Sequence, residues 1–145
     1  MNTGNLFPPH GNRNVWTEDG LLVIHSRGPW NAEFIHEGHA LVLEEVAVFA
    51  RQPWLVLGII HGDGLQTPDA YQAQIESIKA QHPLGRKGTA LVLADTGKSP
   101  FFVSFYRDMY AAADEAMEIF PDEASARLWL TRRLTELRAA SPASG

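Results

Sequence analysis

His61 and Asp63 lie two residues apart in His61-Gly62-Asp63-Gly64, directly after an apolar run over 54–60. An imidazole and a carboxylate at that spacing are the parts of an acid–base pair. The carboxyl end of a parallel strand is also where open α/β sheets gather ligands. No Gly-x-Ser-x-Gly element accompanies the pair. The segment therefore reads as a ligand-contacting loop, with a small enzyme using His61 and Asp63 as an alternative.

A second group is Asp95-Thr96-Gly97-Lys98-Ser99, whose Gly-Lys-Ser is the latter half of a phosphate-binding loop. The full motif needs a glycine five residues before Gly97, and Val92 stands there. What survives is an anion contact by Lys98 and Ser99 at a helix N-terminus, where free N–H groups favour negative charge. Glu33, His36 and His39 have the spacing of metal ligands on a helix, but a di-metal bundle needs a second such pair from another helix, which is missing. We expect no metal, no cofactor, and a hydrogen-bonded, partly buried His39.

Five aromatics fall within ten residues: Phe101, Phe102, Phe105, Tyr106 and Tyr110. Most suit a core at helical spacing, yet neighbours such as Phe101 and Phe102 point about 100° apart on a helix. One face does not hide them all. Phe102, Phe105 and Tyr106 are thus expected to line a ligand pocket or to meet a partner.

The elements that must position these groups follow from pattern. Val15 to His25 is a hairpin around Asp19-Gly20, since Asp-Gly supplies the positive φ of a tight turn. Asn31 caps a helix predicted to run to about Arg51, with Ile35, Val42, Val46 and Phe49 on one face. Gly38 interrupts it at about 1 kcal/mol relative to alanine, and close packing against another backbone is the expected compensation. The run over 54–60 is a strand covered on both faces. Thr67 caps a second helix with Pro68 at its first position, and this helix carries Tyr71, Ile75 and Ile78. A strand over 89–94, a helix from about Ser99-Pro100, a short strand and a last helix capped by Asp122 complete the chain.

The order β-β-α-β-α-β-α-β-α predicts an α/β fold: a mixed, mostly parallel sheet with an antiparallel N-terminal hairpin strand and four helices packed on it. Residues 1–13 read as a flexible arm, 14–138 as one domain and 139–145 as a flexible tail. With 145 residues, no cysteine and a net charge of −5, disulfides and thiolate chemistry are excluded. Nucleic acid is not the expected partner, because phosphate binding needs a concentrated basic face. No run approaches the ~20 apolar residues of a membrane span, and the N-terminus lacks the pattern of a signal peptide. A cytoplasmic location is the expectation.

Three pieces of this order resemble the STAS family, in its small stand-alone members similar to the anti-sigma-factor antagonist (SpoIIAA-like). They are the strand pair ending in Gly28-Pro29-Trp30, the segment Pro53-Trp54-Leu55-Val56-Leu57, and Phe120-Pro121-Asp122 with Ala126, Trp129 and Leu130. The resemblance covers roughly residues 14 to 135. It implies a non-enzymatic regulatory or binding module that takes a small apolar or lipid-like ligand or a protein partner, with a homodimer as an alternative. In the family's signalling members a Ser or Thr at the start of the helix after the central strand is phosphorylated. Here Asp63 is followed by Gly64 and Leu65, so Thr67 is the nearby candidate for phosphorylation.

Overall fold

A computed structural model describes residues 12–95 and 99–140. Five strands form one sheet in sequence order: β1 (Asn12–Glu18), β2 (Leu21–Arg27), β3 (Trp54–His61), β4 (Arg86–Leu93) and β5 (Met117–Phe120). β1 and β2 pair antiparallel and the other neighbours pair parallel. Four helices connect and close the sheet: α1 (Ala32–Val46), α2 (Pro68–Gln81), α3 (Pro100–Ala112) and α4 (Glu123–Ala140). The predicted fold class is the observed one. Among the described residues, no helix is long and apolar enough to cross a membrane.

The layering follows from handedness. Strands β2 to β5 step in one direction across the sheet, so three right-handed crossovers put α1, α2 and α3 on one face. Helix α4 follows the last strand and covers the other face, burying Ala126, Leu130 and Leu134 against Leu55, Leu57 and Val92. The local signals act as their chemistry demands. Gly20 takes φ +71° in the hairpin turn, Asn31 Oδ1 accepts from the Phe34 N–H at 2.9 Å, and Asp122 Oδ1 accepts from the Ser125 N–H at 2.8 Å.

Several boundaries differ from expectation. Helix α1 stops at Val46 and passes into a 3-10 turn, Ala47–Phe49, rather than reaching Arg51. Ala50 and Arg51 adopt positive φ of 51° and 64°, which no helix continues through. β4 begins at Arg86, three residues before the expected start. Asn12 and Arg13, expected in the arm, open β1, while Ala139 and Ala140, expected in the tail, belong to α4. The rest of the arm and tail, and Lys98, lie outside the described residues.

Candidate functional site

A cavity of about 110 Å³ lies between the sheet and helices α1, α2 and α3. Alternation along the strands sets its floor: Arg13 and Val15 of β1, Ile24 and Ser26 of β2, and Val56 and Gly58 of β3 share the face turned toward the helices. Helix α1 supplies Phe34, Gly38, His39 and Val42, and helix α2 supplies Ser77, Ile78 and Gln81. Tyr106 and Tyr110 of α3 close one end. The walls are largely apolar, with a few convergent polar groups, as in binding sites generally.

Arg13 is the most unusual of these groups. Its side chain is 11% exposed. Nη1 donates to the Phe34 carbonyl at 2.7 Å, and the guanidinium lies 3.6 Å from the centre of the Phe34 ring. A Cβ on Gly38 would overlap Nη1 and come within 2.9 Å of Cζ. Gly38 therefore makes room for an arginine side chain, not for another backbone as its helical position suggests. Burial lowers the Arg13 guanidinium to about 10, and Glu37, a half-exposed carboxylate 3.8 Å away, only partly opposes that.

A hydrogen-bonded polar chain reaches the cavity, which its members Arg86, Gln81, Ser77 and His39 line. Arg86 Nε donates to both Glu115 oxygens, at 3.0 and 2.8 Å, Nη1 to Gln81 Oε1 at 2.6 Å, and Nη2 to Thr89 Oγ1 at 3.0 Å. Thr89 Oγ1 donates to Glu115 Oε2 at 2.5 Å, and His82 Nε2 lies 2.9 Å from Glu115 Oε1. Gln81 Nε2 then reaches Ser77 Oγ at 3.0 Å and His39 Nδ1 at 3.3 Å. An amide nitrogen only donates, so the ring nitrogen it faces accepts, and His39 carries its proton on Nε2. Ser77 Oγ, 2.7 Å from the same Nδ1, donates to it. Burial and the nearby His36 both lower the His39 pKa, consistent with that neutral ring. A hydroxyl beside an imidazole is half of a nucleophile–base pair. Among the described residues no carboxylate side chain lines this cavity to orient the ring.

The residues singled out by sequence disperse. His61 points to the α4 face, with Nε2 3.0 Å from His25 Nδ1, and His25 stacks between Trp16 and His61. Asp63 Oδ1 instead accepts from the Leu65 N–H at 3.2 Å, so each member of the expected pair is engaged elsewhere. Thr67 Oγ1 caps α2 and donates to Asp69 Oδ1 at 2.5 Å. Ser99 occupies the N-cap position of α3 without a side-chain capping bond. Of the aromatics, Tyr106 is buried, lines the cavity and donates to the Gly64 carbonyl at 2.8 Å. Phe102 and Phe105 pack against the core from a half-buried position, and Phe101 remains 59% exposed. His39 is hydrogen-bonded and part-buried, as read from the sequence. Among the described residues no group of three or more His, Asp or Glu side chains is placed to hold a metal.

Arg13, Trp30 and Arg86, which line the cavity, were not legible as site residues. The one available signal was parity: with Val15 facing inward, Arg13 two residues earlier faces the same way. No family model, curated protein or solved structure matches the chain.

Proposed function

We propose that this protein is a non-enzymatic binding module, of STAS-like type, that takes a small amphipathic molecule in the cavity beneath α1 and α2. The observation that carries the reading is the cavity's composition: apolar walls from Ile24, Phe34, Val42 and Ile78, with Arg13 and the His39–Ser77–Gln81 set at its margins. Its size limits the ligand. A cavity of about 110 Å³ is of the same order as the ~150 Å³ apolar cavity that admits benzene. Single-ring molecules and short chains fit this volume, and a full-length fatty acid does not. The separate hydrogen-bond partners of His61 and Asp63 support a binding role over an enzyme built on that pair.

Thermal unfolding with toluene, benzyl alcohol, benzoate, butyrate and palmitate tests this. At a hundredfold excess over Kd a ligand stabilises by about 2.7 kcal/mol, or about 5–10 °C for a domain of this size. The small probes should raise the midpoint and palmitate should not. A midpoint indifferent to every small probe would refute the reading.

A second reading makes the outer aromatic surface a docking face for a protein partner or a second copy. It is favoured by Phe101, 59% exposed, which stacks on Phe105, and by the half-exposed Leu65. Sedimentation across a concentration series tests the second copy: a constant monomer mass would exclude it.

A further inference from the structure

Resting on the cavity reading above, we propose that the cavity is a carboxylate site, in which the guanidinium of Arg13 and the indole N–H of Trp30 receive the acid group of a single-ring or short-chain acid. Three observations converge. Trp30 lines the cavity and is 5% exposed, and its Nε1 has no hydrogen-bond partner among the described residues. A buried N–H left unpaired costs about 1–3 kcal/mol, which an acceptor in the cavity would recover. The other indoles with a donor bond show the contrast: Trp54 Nε1 donates to the Leu84 carbonyl at 2.9 Å, and Trp16 Nε1 to Glu18 Oε2 at 3.0 Å.

Arg13 is the second observation. It brings a buried charge whose partners are one carbonyl, the Phe34 ring and the half-exposed Glu37 at 3.8 Å. Arg86, by comparison, is neutralised by the side-on carboxylate of Glu115. Arg13 and Trp30 share a neighbour: the guanidinium lies over the Phe34 ring, and Trp30 stacks on that ring with centroids 6.2 Å apart. Both donor side chains therefore border the same ring.

The third observation is the sign of the lining. Among the described residues no aspartate or glutamate lines the cavity, and with Arg86 paired to Glu115 and His39 neutral, Arg13 is the lining cation that a ligand would meet. An acid would place its carboxylate against Arg13 and Trp30 and its apolar body against Ile24, Val42 and Ile78. A guanidinium and an indole N–H both donate to a carboxylate.

The test is a ¹H–¹⁵N NMR titration of the full chain with benzoate and, separately, with toluene, the Trp30 indole resonance being assigned by its loss in Trp30→Phe. Benzoate should bind at least about tenfold more tightly than toluene, the least that one charge-assisted hydrogen bond contributes, and should move the Trp30 indole proton downfield. Arg13→Met should abolish that preference while toluene still binds, and Arg13→Lys should restore part of it. If toluene binds as well as benzoate, or Arg13→Met leaves the preference intact, the carboxylate proposal is overturned and the cavity reading stands. If neither probe binds the wild-type protein, both fall. Should Arg13→Met fail to fold, the Trp30 indole shift and the Arg13→Lys titration decide the question alone.

Discussion

Replacing Gly38 by alanine should destabilise this protein, although the same exchange inside an exposed helix stabilises it by about 1 kcal/mol. The new methyl would occupy the space now held by Arg13 Nη1. To avoid it the guanidinium must give up its 2.7 Å bond to the Phe34 carbonyl and its place over the Phe34 ring. A hydrogen bond to a charged group contributes about 1.5–3 kcal/mol, and a desolvated cation–π contact about 1–2 kcal/mol. Part of this is recovered as the flexible side chain swings into the neighbouring cavity, and helix propensity returns about 1 kcal/mol. The net expectation is a loss of about 1–3 kcal/mol, or a few degrees in midpoint. Urea unfolding of Gly38→Ala, Arg13→Ala and the double variant measures it. With Arg13 removed, the conflict disappears and Gly38→Ala should stabilise by about 1 kcal/mol. If Gly38→Ala has the same effect in both backgrounds, Arg13 is not what the glycine accommodates and the geometry described for the cavity wall is wrong.

Other expectations follow from the polar groups. Glu115→Ala should cost about 3–5 kcal/mol in urea unfolding, because it strands the buried Arg86 charge; replacing both residues by apolar ones should cost less than the single change. Tyr106→Phe should cost about 1 kcal/mol, since it leaves the Gly64 carbonyl without its 2.8 Å donor. Phe101→Ser should leave stability within about 0.5 kcal/mol, the ring being mostly in solvent. Stability should also fall with pH below the ordinary histidine value of 6.5. Burial, with His61 beside it, lowers His25, and burial with His36 lowers His39. The unfolded chain therefore binds protons that the folded one refuses, and stability rises with pH across that window. His25→Asn should flatten this slope between pH 5 and 7 in urea midpoints, and an unchanged slope would discount the His25 contribution.

How much of this was legible in the sequence depends on whether a signal was local. The caps at Asn31, Thr67 and Asp122, the Asp19-Gly20 turn and the apolar run of β3 are local, and each forms as its own chemistry requires. From them the sheet order follows, because a right-handed crossover leaves few choices. The site was less legible. Arg13 sits at the edge of an Asn- and Gly-rich stretch whose composition resembles an arm, and only its register opposite Ser26 in β2 turns it inward. Arg86 and Glu115 are 29 residues apart, and nothing within either neighbourhood announces the other. His61 and Asp63 are two residues apart, but β3 ends at His61 and Gly62 turns the chain at φ +68°, so the imidazole keeps its strand position on the α4 face while the carboxylate caps its own loop. Sequence proximity suggested a pair that tertiary placement separates.

The central claim is that the space between the sheet and α1–α2 receives a small molecule. Crystals of the protein equilibrated with toluene test it most directly. The account predicts a single ring bound among Ile24, Phe34, Val42 and Ile78, within reach of Arg13. Toluene lodged only against the exposed Phe101, with the cavity empty, would contradict it.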